Sequence, residues 1–139
     1  MRQESTVVEV RTQGRGLFSF HRKVEDWVRQ LRATQGLLTL VIQHTSASLL
    51  LQENADPDVQ TDLDRWLSRL VQDGDPLFQH TAEGPDDMPS HVRAALTLPS
   101  LSIPVAGGRL VLGTWQGLYV FEHRLRGHAR KVALHFIGE

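Results

Sequence analysis

An early segment of the chain, STVVEVRT, alternates polar and apolar residues with a period of two. This alternation predicts a strand with one buried face, and Gly14 and Gly16 predict a turn directly after it. LLTLVIQ and HTSASLLLQE predict two further strands, with His44 between them. The last forty residues contain the short apolar segments LSIPV, RLVLGTW, GLYVFEHR and RKVALHFIG. Glycine and charged residues separate these segments, which together predict an antiparallel meander.

Helices are predicted between the strands. RKVEDWVRQLRATQG has apolar residues at helical spacing, and Gly36 is placed to end this helix. ADPDVQTDLDRWLSRLVQDG predicts the clearest helix, with Asp56 as its N-cap and Pro57 in its first turn. Its apolar stripe consists of Val59, Leu63, Trp66, Leu67 and Leu70. After a loop to Pro85, a short helix is predicted over 88–96.

These elements predict one α+β domain over residues 1–139. Strands lie at both ends of the chain and helices lie between them, which is typical of this class. A chain of 139 residues is long enough to bury a hydrophobic core of its own. We therefore expect a mainly antiparallel, sandwich-like β-sheet with two to three helices.

Charge and composition narrow the class of function. Fifteen basic and sixteen acidic residues are interspersed and give a net charge of −1, so the chain lacks the basic excess of a general nucleic-acid or membrane-surface binder. No apolar run reaches the ~18 residues of a membrane span, and the first residues lack a signal-peptide core. The absence of cysteine excludes disulfides and thiolate metal sites and fits a reducing compartment. We expect a cytoplasmic protein.

The segment EGPDDMPSH carries more charge than a helix start requires. The dipeptide Gly84-Pro85 predicts a turn, and Asp86 or Asp87 is placed to cap the helix that follows. If Asp86 is the cap, Asp87 and His91 lie four residues apart on one helix face. Capping explains one aspartate, so the remaining ionisable groups favour a functional site. The alternative is a capped helix whose dipole favours nearby carboxylates.

Two further segments place polar groups at the ends of predicted elements. QHTSAS has a histidine and three hydroxyl groups after an apolar strand, although no glycine-rich loop follows to cradle a phosphate. A hydrogen-bonded structural histidine is the alternative explanation for His44. In QENADPD, capping explains Asp56 but leaves Glu53 and Asn54 unexplained. In GTWQG, glycines within a strand pattern indicate a bulge or a close approach to a ligand.

Seven histidines in a chain without cysteine suggest a metal site built from imidazole, carboxylate and water. His44, His91 and His123 each lie at the end of an element beside acids or hydroxyl groups. Three imidazoles could bind Zn²⁺ with an open position for water, whereas added carboxylates would suit Mg²⁺ or Mn²⁺. Glu122, His123 and Arg124 are consecutive in a predicted strand, so His123 points to the opposite face from its neighbours.

Three of these segments, QHTSASLLLQENADP, EGPDDMPSH and LGTWQGLYVFEHR, resemble the signature stretches of the YjbQ family, also described as secondary thiamine-phosphate synthases. The resemblance covers nearly the whole chain in order. It implies a small α+β protein that assembles as a homotrimer, with the motif residues in a pocket near the subunit interface. It also implies a weak reaction in which thiazole phosphate displaces pyrophosphate from a pyrimidine pyrophosphate.

The resemblance also implies roles for individual residues. The residues carried over as catalytic are Glu53, Asp87, His91 and Arg124. Those carried over as substrate-binding are Thr45, Ser46, Asn54, Thr114, Trp115, Gln116 and Glu122. The candidate metal ligands are His44, His91 and His123, of which His44 and His91 with a carboxylate are favoured, because the family also has phenylalanine at the position of His123. Asp56, Glu83 and Asp86 complete the shared motif residues.

The leading hypothesis is a metal-assisted transferase acting on a phosphorylated small molecule. A divalent ion, Mg²⁺ or Zn²⁺, would neutralise the leaving pyrophosphate, Arg124 would bind a phosphate, and Trp115 would stack on a heteroaromatic ring. One alternative is a non-catalytic module that binds a metabolite or metal. The other is a metal-dependent hydrolase of a phosphorylated small molecule.

Overall fold

The computed structural model describes residues 1–139 and contains eight strands and three helices. The strands are β1 (Arg2–Arg11), β2 (Gly16–Ser19), β3 (Gln35–Ile42), β4 (Ala47–Glu53), β5 (Ser100–Ala106), β6 (Arg109–Leu110), β7 (Gln116–Glu122) and β8 (Ala129–Gly138). The helices are α1 (His21–Gln30), α2 (Pro57–Leu70) and α3 (Asp87–Leu96). The predicted α+β class is confirmed.

The strands form two antiparallel sheets. The larger sheet has the order β1-β8-β3-β5-β6, and the smaller has the order β2-β7-β4. The predicted C-terminal meander is therefore wrong, because β7 lies between β2 and β4 whereas β8 lies between β1 and β3. Apolar content identifies a strand, but its partners depend on which distant segments share its buried face.

A single cluster of buried side chains joins the two sheets and α1. Alternate residues of β8, namely Val132, Leu134 and Phe136, face this core, as period-two alternation requires. From α1, Val24 and Val28 are buried in the same cluster. This core holds β7, which ends at Glu122, and the predicted site residues His123 and Arg124 follow directly after it.

Helix α2 begins as predicted but lies at the edge of the structure. Asp56 Oδ1 accepts a hydrogen bond from Asp58 N at 2.9 Å, so the predicted cap is confirmed. Of the predicted apolar stripe only Leu67 is buried, and Trp66 remains 61% exposed. The helix contacts the smaller sheet at its short edge strand β2, which offers little surface to cover a full stripe.

The turn predicted at Gly14 and Gly16 is present, since the chain bends at Gly14 and Arg15 between β1 and β2. The segment from Gly16 then forms β2, which pairs with β7. In RLVLGTW only Arg109–Leu110 is a strand, and Gln116 N donates to Gly113 O at 3.1 Å to form a turn. None of the three helices has the length and apolar character needed to span a bilayer.

Candidate functional site

Three ionisable side chains converge where the loop 71–86 meets α3. His80 Nε2 lies 2.6 Å from Asp87 Oδ2, and His91 Nε2 lies 3.1 Å from the same oxygen. One ligand atom from each residue falls within 4.8 Å of the others. Asp87 is only 2% exposed, whereas both imidazoles reach the surface. The predicted helical spacing of Asp87 and His91 thus brings the two side chains into contact.

The hydrogen bond made by Nδ1 of His91 determines whether Nε2 of the neutral ring carries a proton or a lone pair. Nδ1 lies 2.8 Å from the main-chain oxygen of Thr45, and a carbonyl oxygen can only accept. Nδ1 therefore carries the proton, and in the neutral ring Nε2 presents a lone pair to Asp87 Oδ2. Two acceptors 3.1 Å apart require a cation between them, either a proton or a metal ion.

Arg124 fixes the carboxylates of this cluster. Its Nε donates to Asp86 Oδ2 at 2.9 Å and its Nη1 donates to Asp87 Oδ1 at 2.8 Å. Its Nη2 donates to the main-chain oxygen of Glu83 at 2.9 Å and contacts Asp86 Oδ1 at 3.4 Å. Four of the five guanidinium N–H groups are thereby used. Arg124 consequently lacks a free pair of N–H groups for bidentate phosphate binding.

The pKa values of the three groups follow from these contacts. Burial opposes the charged form of Asp86, but the hydrogen bond from Arg124 outweighs burial and lowers the Asp86 pKa. Burial is likewise outweighed at Asp87, where the contacts with His80, His91 and Arg124 lower the pKa. The same pairing, led by the Asp86 hydrogen bond, raises the pKa of Arg124. All three groups are charged at neutral pH.

The capping prediction for α3 is wrong. Asp86 occupies the N-cap position, but its side chain makes no capping hydrogen bond. Its Oδ2 accepts instead from Arg124 Nε and from Leu125 N, both at 2.9 Å. A charged guanidinium in reach is a stronger donor than a helix N–H group, so a tertiary contact takes the carboxylate that local sequence assigns to the cap.

His44 lies outside this cluster. Its Nε2 accepts a hydrogen bond from Lys131 N at 2.8 Å, which uses the lone pair that a metal ion would need. Burial, followed by the charge of Arg130, lowers the His44 pKa. The geometry matches the alternative of a hydrogen-bonded structural histidine.

His123 is fully buried and also lies outside the cluster. Its Nε2 is 2.9 Å from Ser48 Oγ, which in turn lies 2.6 Å from Thr97 Oγ1, and its Nδ1 has no partner. Burial, followed by the charge of Arg93, lowers the His123 pKa to about 3. The imidazole is therefore neutral over the physiological range and faces the interior rather than a ligand-accessible surface.

Glu122 makes all of its side-chain contacts within the protein interior. It is fully buried and ion-paired through both oxygens with Arg130, and Thr12 Oγ1 donates to its Oε1 at 2.7 Å. Arg130 Nη2 also donates to Ser46 Oγ at 3.0 Å. Burial disfavours the Glu122 carboxylate, but Arg130 and Thr12 outweigh it and lower the pKa. Glu122 and Ser46 thus join β7, β8 and the segment before β4, while Thr45 contributes its carbonyl group to the cluster.

The other predicted residues lie at the opposite end of the β4–β7 pair. Ala47 of β4 pairs with Glu122, whereas Glu53 pairs with Gln116, so the two ends are about 20 Å apart. Here Glu53 Oε2 accepts from two main-chain N–H groups before α2. Asn54 Nδ2 donates to the carbonyl oxygens of Thr114, at 3.2 Å, and Gln116. Gln116 Oε1 accepts from Gly113 N at 2.8 Å, and Trp115 is 63% exposed.

His80 is the cluster residue that sequence reasoning missed. It lies in an irregular loop seven residues before Asp87, where neither helical nor strand periodicity relates the two side chains. The available signal was the surplus of histidines, which does not indicate which of them meet. Only the path of the loop brings His80 to Asp87.

The donor set fits a divalent metal ion. Imidazole nitrogens and a carboxylate oxygen are common ligands for Zn²⁺ and leave a position for water or substrate. A ligating histidine usually donates its second N–H to a carbonyl group, as His91 does to Thr45. The Asp87 carboxylate is likewise held by a hydrogen bond, from Arg124.

Two antiparallel sheets, three helices and an ionisable cluster between a loop and a helix define an α+β protein with a candidate ligand site at one end. The sequence matches the UPF0047 protein YjbQ-like family over residues 6–139. The chain therefore belongs to the YjbQ/UPF0047 family, as the three motifs predicted.

Individual relatives are similar along most of their length. The UPF0047 protein sll1880 of Synechocystis is 47% identical over 138 residues, covering 99% of this chain and 94% of that protein. The UPF0047 protein YjbQ of Escherichia coli is 44% identical over 124 residues, covering 86% of this chain and 89% of that protein.

Solved structures show the same fold. A hypothetical protein from Aeropyrum pernix superposes with a TM-score of 0.83 at 30% identity, with 100% of both chains covered. A YbjQ-like protein of unknown function from Sulfolobus solfataricus gives a TM-score of 0.85 at 18% identity, covering 99% of this chain and 100% of that one. The second likeness supports the fold alone.

Proposed function

We propose that His80, Asp87 and His91 bind a divalent metal ion, Zn²⁺ or Mg²⁺, at a site that acts on a phosphorylated small molecule. The observation that carries this proposal is the convergence of His80 Nε2 and His91 Nε2 on Asp87 Oδ2, at 2.6 Å and 3.1 Å. The ion, when bound, would supply positive charge beside a phosphate or pyrophosphate leaving group. His80 would take the place predicted for His44 among the ligands, because Lys131 N already donates to His44 Nε2.

In this proposal Arg124 is a positioning residue. It holds Asp87 through Oδ1, which leaves Oδ2 directed at the two imidazoles. It also ties the start of α3 to the end of β7 through Asp86. Loss of Arg124 would release both carboxylates and leave two like charges close together, which would weaken the alignment of the ligand atoms.

A neighbouring pocket supports the assignment of a phosphorylated substrate. It has a volume of about 630 Å³ and is lined by Glu83, Asp86, Arg124, Arg126 and His128 among others. The guanidinium of Arg126 makes no hydrogen bond or ion pair within the chain, unlike that of Arg124. A free guanidinium is well suited to bind a phosphate oxygen pair, so Arg126 is the group that would hold the phosphate.

The reaction to test first is the one that family resemblance implies. Thiazole phosphate would displace pyrophosphate from a pyrimidine pyrophosphate, with thiamine phosphate as the product. Both reactants carry phosphate groups that suit the pocket beside Arg126, and pyrophosphate would leave next to the ion. A cytoplasmic location, where such metabolites occur, remains part of this proposal.

We further propose that the chain assembles as a homotrimer, as the family resemblance implies. Within one chain the two groups of motif residues lie about 20 Å apart along β4. Trp115 is exposed at the end remote from His91, so a neighbouring copy could bring its Trp115 to the cluster. Light scattering would test this assembly, and the mass of a monomer at working concentration would contradict it.

Metal content tests the site directly. We expect wild-type protein, loaded with Zn²⁺ and dialysed, to retain about one ion per chain, and His80→Ala and His91→Ala to retain little. His44→Ala is the matched control and should retain the ion. Equal metal content in wild type and His91→Ala would contradict the proposal, whereas loss in His44→Ala alone would restore His44 as the ligand.

Turnover separates the candidate functions. Wild-type protein with the ion, thiazole phosphate and pyrimidine pyrophosphate should form thiamine phosphate, and His91→Ala should form at least about 100-fold less. A rise in melting temperature with these compounds but no product would support a binding module instead. Phosphate release from generic phosphoesters that depends on added metal and His91 would support a hydrolase.

A further inference from the structure

A second cavity lies beside the proposed metal site. The loop 74–85 and the first turn of α3 enclose a volume of about 290 Å³. Its lining is mainly apolar and includes Pro76, Phe78, Pro85, Met88 and Pro89. His80 also lines this cavity, and its Nε2 contacts Asp87. One imidazole therefore separates an apolar cavity from the metal-binding atoms.

Hydrogen bonds hold the loop in the shape that forms the cavity. Gly74 N donates to Pro85 O at 2.9 Å and joins the two ends of the loop. Phe78 N donates to Asp75 O, and Gly84 N donates to Thr81 O, both at 3.1 Å. The carboxylate of Asp75 accepts from a main-chain N–H at 2.9 Å and is thereby turned to the loop itself. A cavity held in this way needs little ordering when a ligand enters it.

We propose that this cavity binds one aromatic or heteroaromatic ring of the molecule on which the metal site acts, an inference that rests on the proposed function. Rings pack well against aromatic side chains and against methionine sulfur, which Phe78 and Met88 supply. The volume is at the small end for ligand pockets and suits a single ring.

The surroundings indicate how such a molecule would lie. Gly84 borders both this cavity and the polar pocket that contains Arg126. A ring in the apolar cavity and a phosphate near Arg126 therefore fall on the two sides of the segment that carries Asp86 and Asp87. Phe78 lies outside the three motif stretches, and Met88 lies within EGPDDMPSH but is not among the residues carried over by resemblance.

Methionine NMR gives a direct test on the full chain. The sequence has two methionines: Met1 is at the terminus and Met88 lines the cavity. In protein labelled with ¹³C at the methionine methyls, phenyl phosphate should shift the Met88 signal through the ring current and leave the Met1 signal unchanged. Methyl phosphate, which has no ring, should not produce this shift. A Met88→Leu spectrum assigns the two signals.

Affinity provides the second measurement. With Zn²⁺-loaded protein, phenyl phosphate should bind about tenfold more tightly than methyl phosphate, because only its ring is removed from water. Phe78→Ala should abolish most of this preference. Leu77→Ala is the matched control: Leu77 is the neighbouring residue, is 79% exposed and does not line the cavity. Its affinities should equal those of wild type.

The outcomes separate this inference from the proposed function. A Met88 shift in protein that binds no metal would support the ring site and contradict the metal site. Metal binding without a Met88 shift, at phenyl phosphate concentrations that saturate or reach the solubility limit, would overturn the ring site alone. Equal affinities for the two phosphates, or equal losses in Phe78→Ala and Leu77→Ala, would also overturn it.

Discussion

The two ends of the β4–β7 pair carry similar polar residues but use them differently. At the Glu122 end, two histidines converge on one oxygen of Asp87, so three possible ligand atoms lie together. At the Glu53 end, the Glu53 carboxylate accepts from main-chain N–H groups of its own loop, and the Asn54 amide donates to main-chain oxygens of the segment before β7. The first end therefore retains capacity for a ligand, whereas the second mainly shapes the loop that displays Trp115.

This difference shows that a dense polar motif does not by itself identify a binding group. Glu53 and Asn54 satisfy main-chain groups that would otherwise lack partners as the chain turns into α2 and β7. Asp87 is surrounded by side chains from three separate segments, which lie in the loop 71–86, in α3 and after β7. Side chains that converge in this way can bind an ion without losing the main-chain hydrogen bonds that hold a turn.

The largest expected effect on stability comes from comparing a glutamate-to-glutamine substitution at the two ends of the β4–β7 pair. Glu122→Gln should lower the free energy of unfolding by about 3–5 kcal/mol, because it leaves the buried guanidinium of Arg130 without a counter-charge. Glu53→Gln should lower it by less than about 1 kcal/mol, since an amide oxygen can still accept from the main chain. Urea unfolding at pH 7 measures both, and equal losses would contradict the contrast.

An intermediate effect is expected from His123, behind the Glu122 end. The unfolded chain takes up its proton near the usual pKa of 6.5, whereas the folded chain does so only at about 3. Stability conferred by the neutral ring is therefore lost as the pH falls below 6.5, by about 2 kcal/mol between pH 7 and pH 5. Asp86, Asp87 and Glu122 have lowered pKa values and stay charged in this window.

His123→Phe isolates this contribution, because an aromatic ring of similar size fills the same space. The variant should lose about 2 kcal/mol less than wild type between pH 7 and pH 5, as measured by urea unfolding at each pH. Parallel stability curves for the two proteins would show that His123 titrates normally and would place it in contact with solvent.

The smallest expected effect on stability concerns the exposed Trp115. Trp115→Ala should change the free energy of unfolding of the isolated chain by no more than about 0.5 kcal/mol, as for other surface substitutions. Trp66→Ala is a matched control, because Trp66 is similarly exposed. In the proposed homotrimer, only Trp115→Ala should shift the mass measured by sedimentation towards the monomer. Dissociation by Trp66→Ala instead would place the contact on α2.

Much of the fold could be predicted from local patterns. Asp56 and Pro57 start α2 where capping preferences place them, and alternation in STVVEVRT identifies β1. The pairing of β7 with β2 and β4 could not be predicted, because several apolar strands are equally suited to its position. The exposure of most of the apolar stripe on α2 could not be predicted either, because periodicity does not show how much surface the neighbouring sheet offers to cover it.

The candidate site was predicted in part. Spacing alone brought Asp87 and His91 to one helix face, and this contact is present. Asp86 was assigned to a cap, but Arg124 reaches it from a strand end thirty-eight residues away in sequence. His80 had no local signal at all, because an irregular loop has no period from which a side-chain direction can be inferred.

The sequence by itself determined the α+β class, the starts of the helices and the family, because these depend on neighbouring residues and on ordered motifs. Only the tertiary structure decided which polar groups in EGPDDMPSH remain available to a ligand. That choice depends on competition between distant donors and acceptors: Arg124 takes Asp86 and one oxygen of Asp87, and the other oxygen is left to His80 and His91. Hydrogen-bond competition over long sequence separations has no periodicity, so the folded chain alone resolves it.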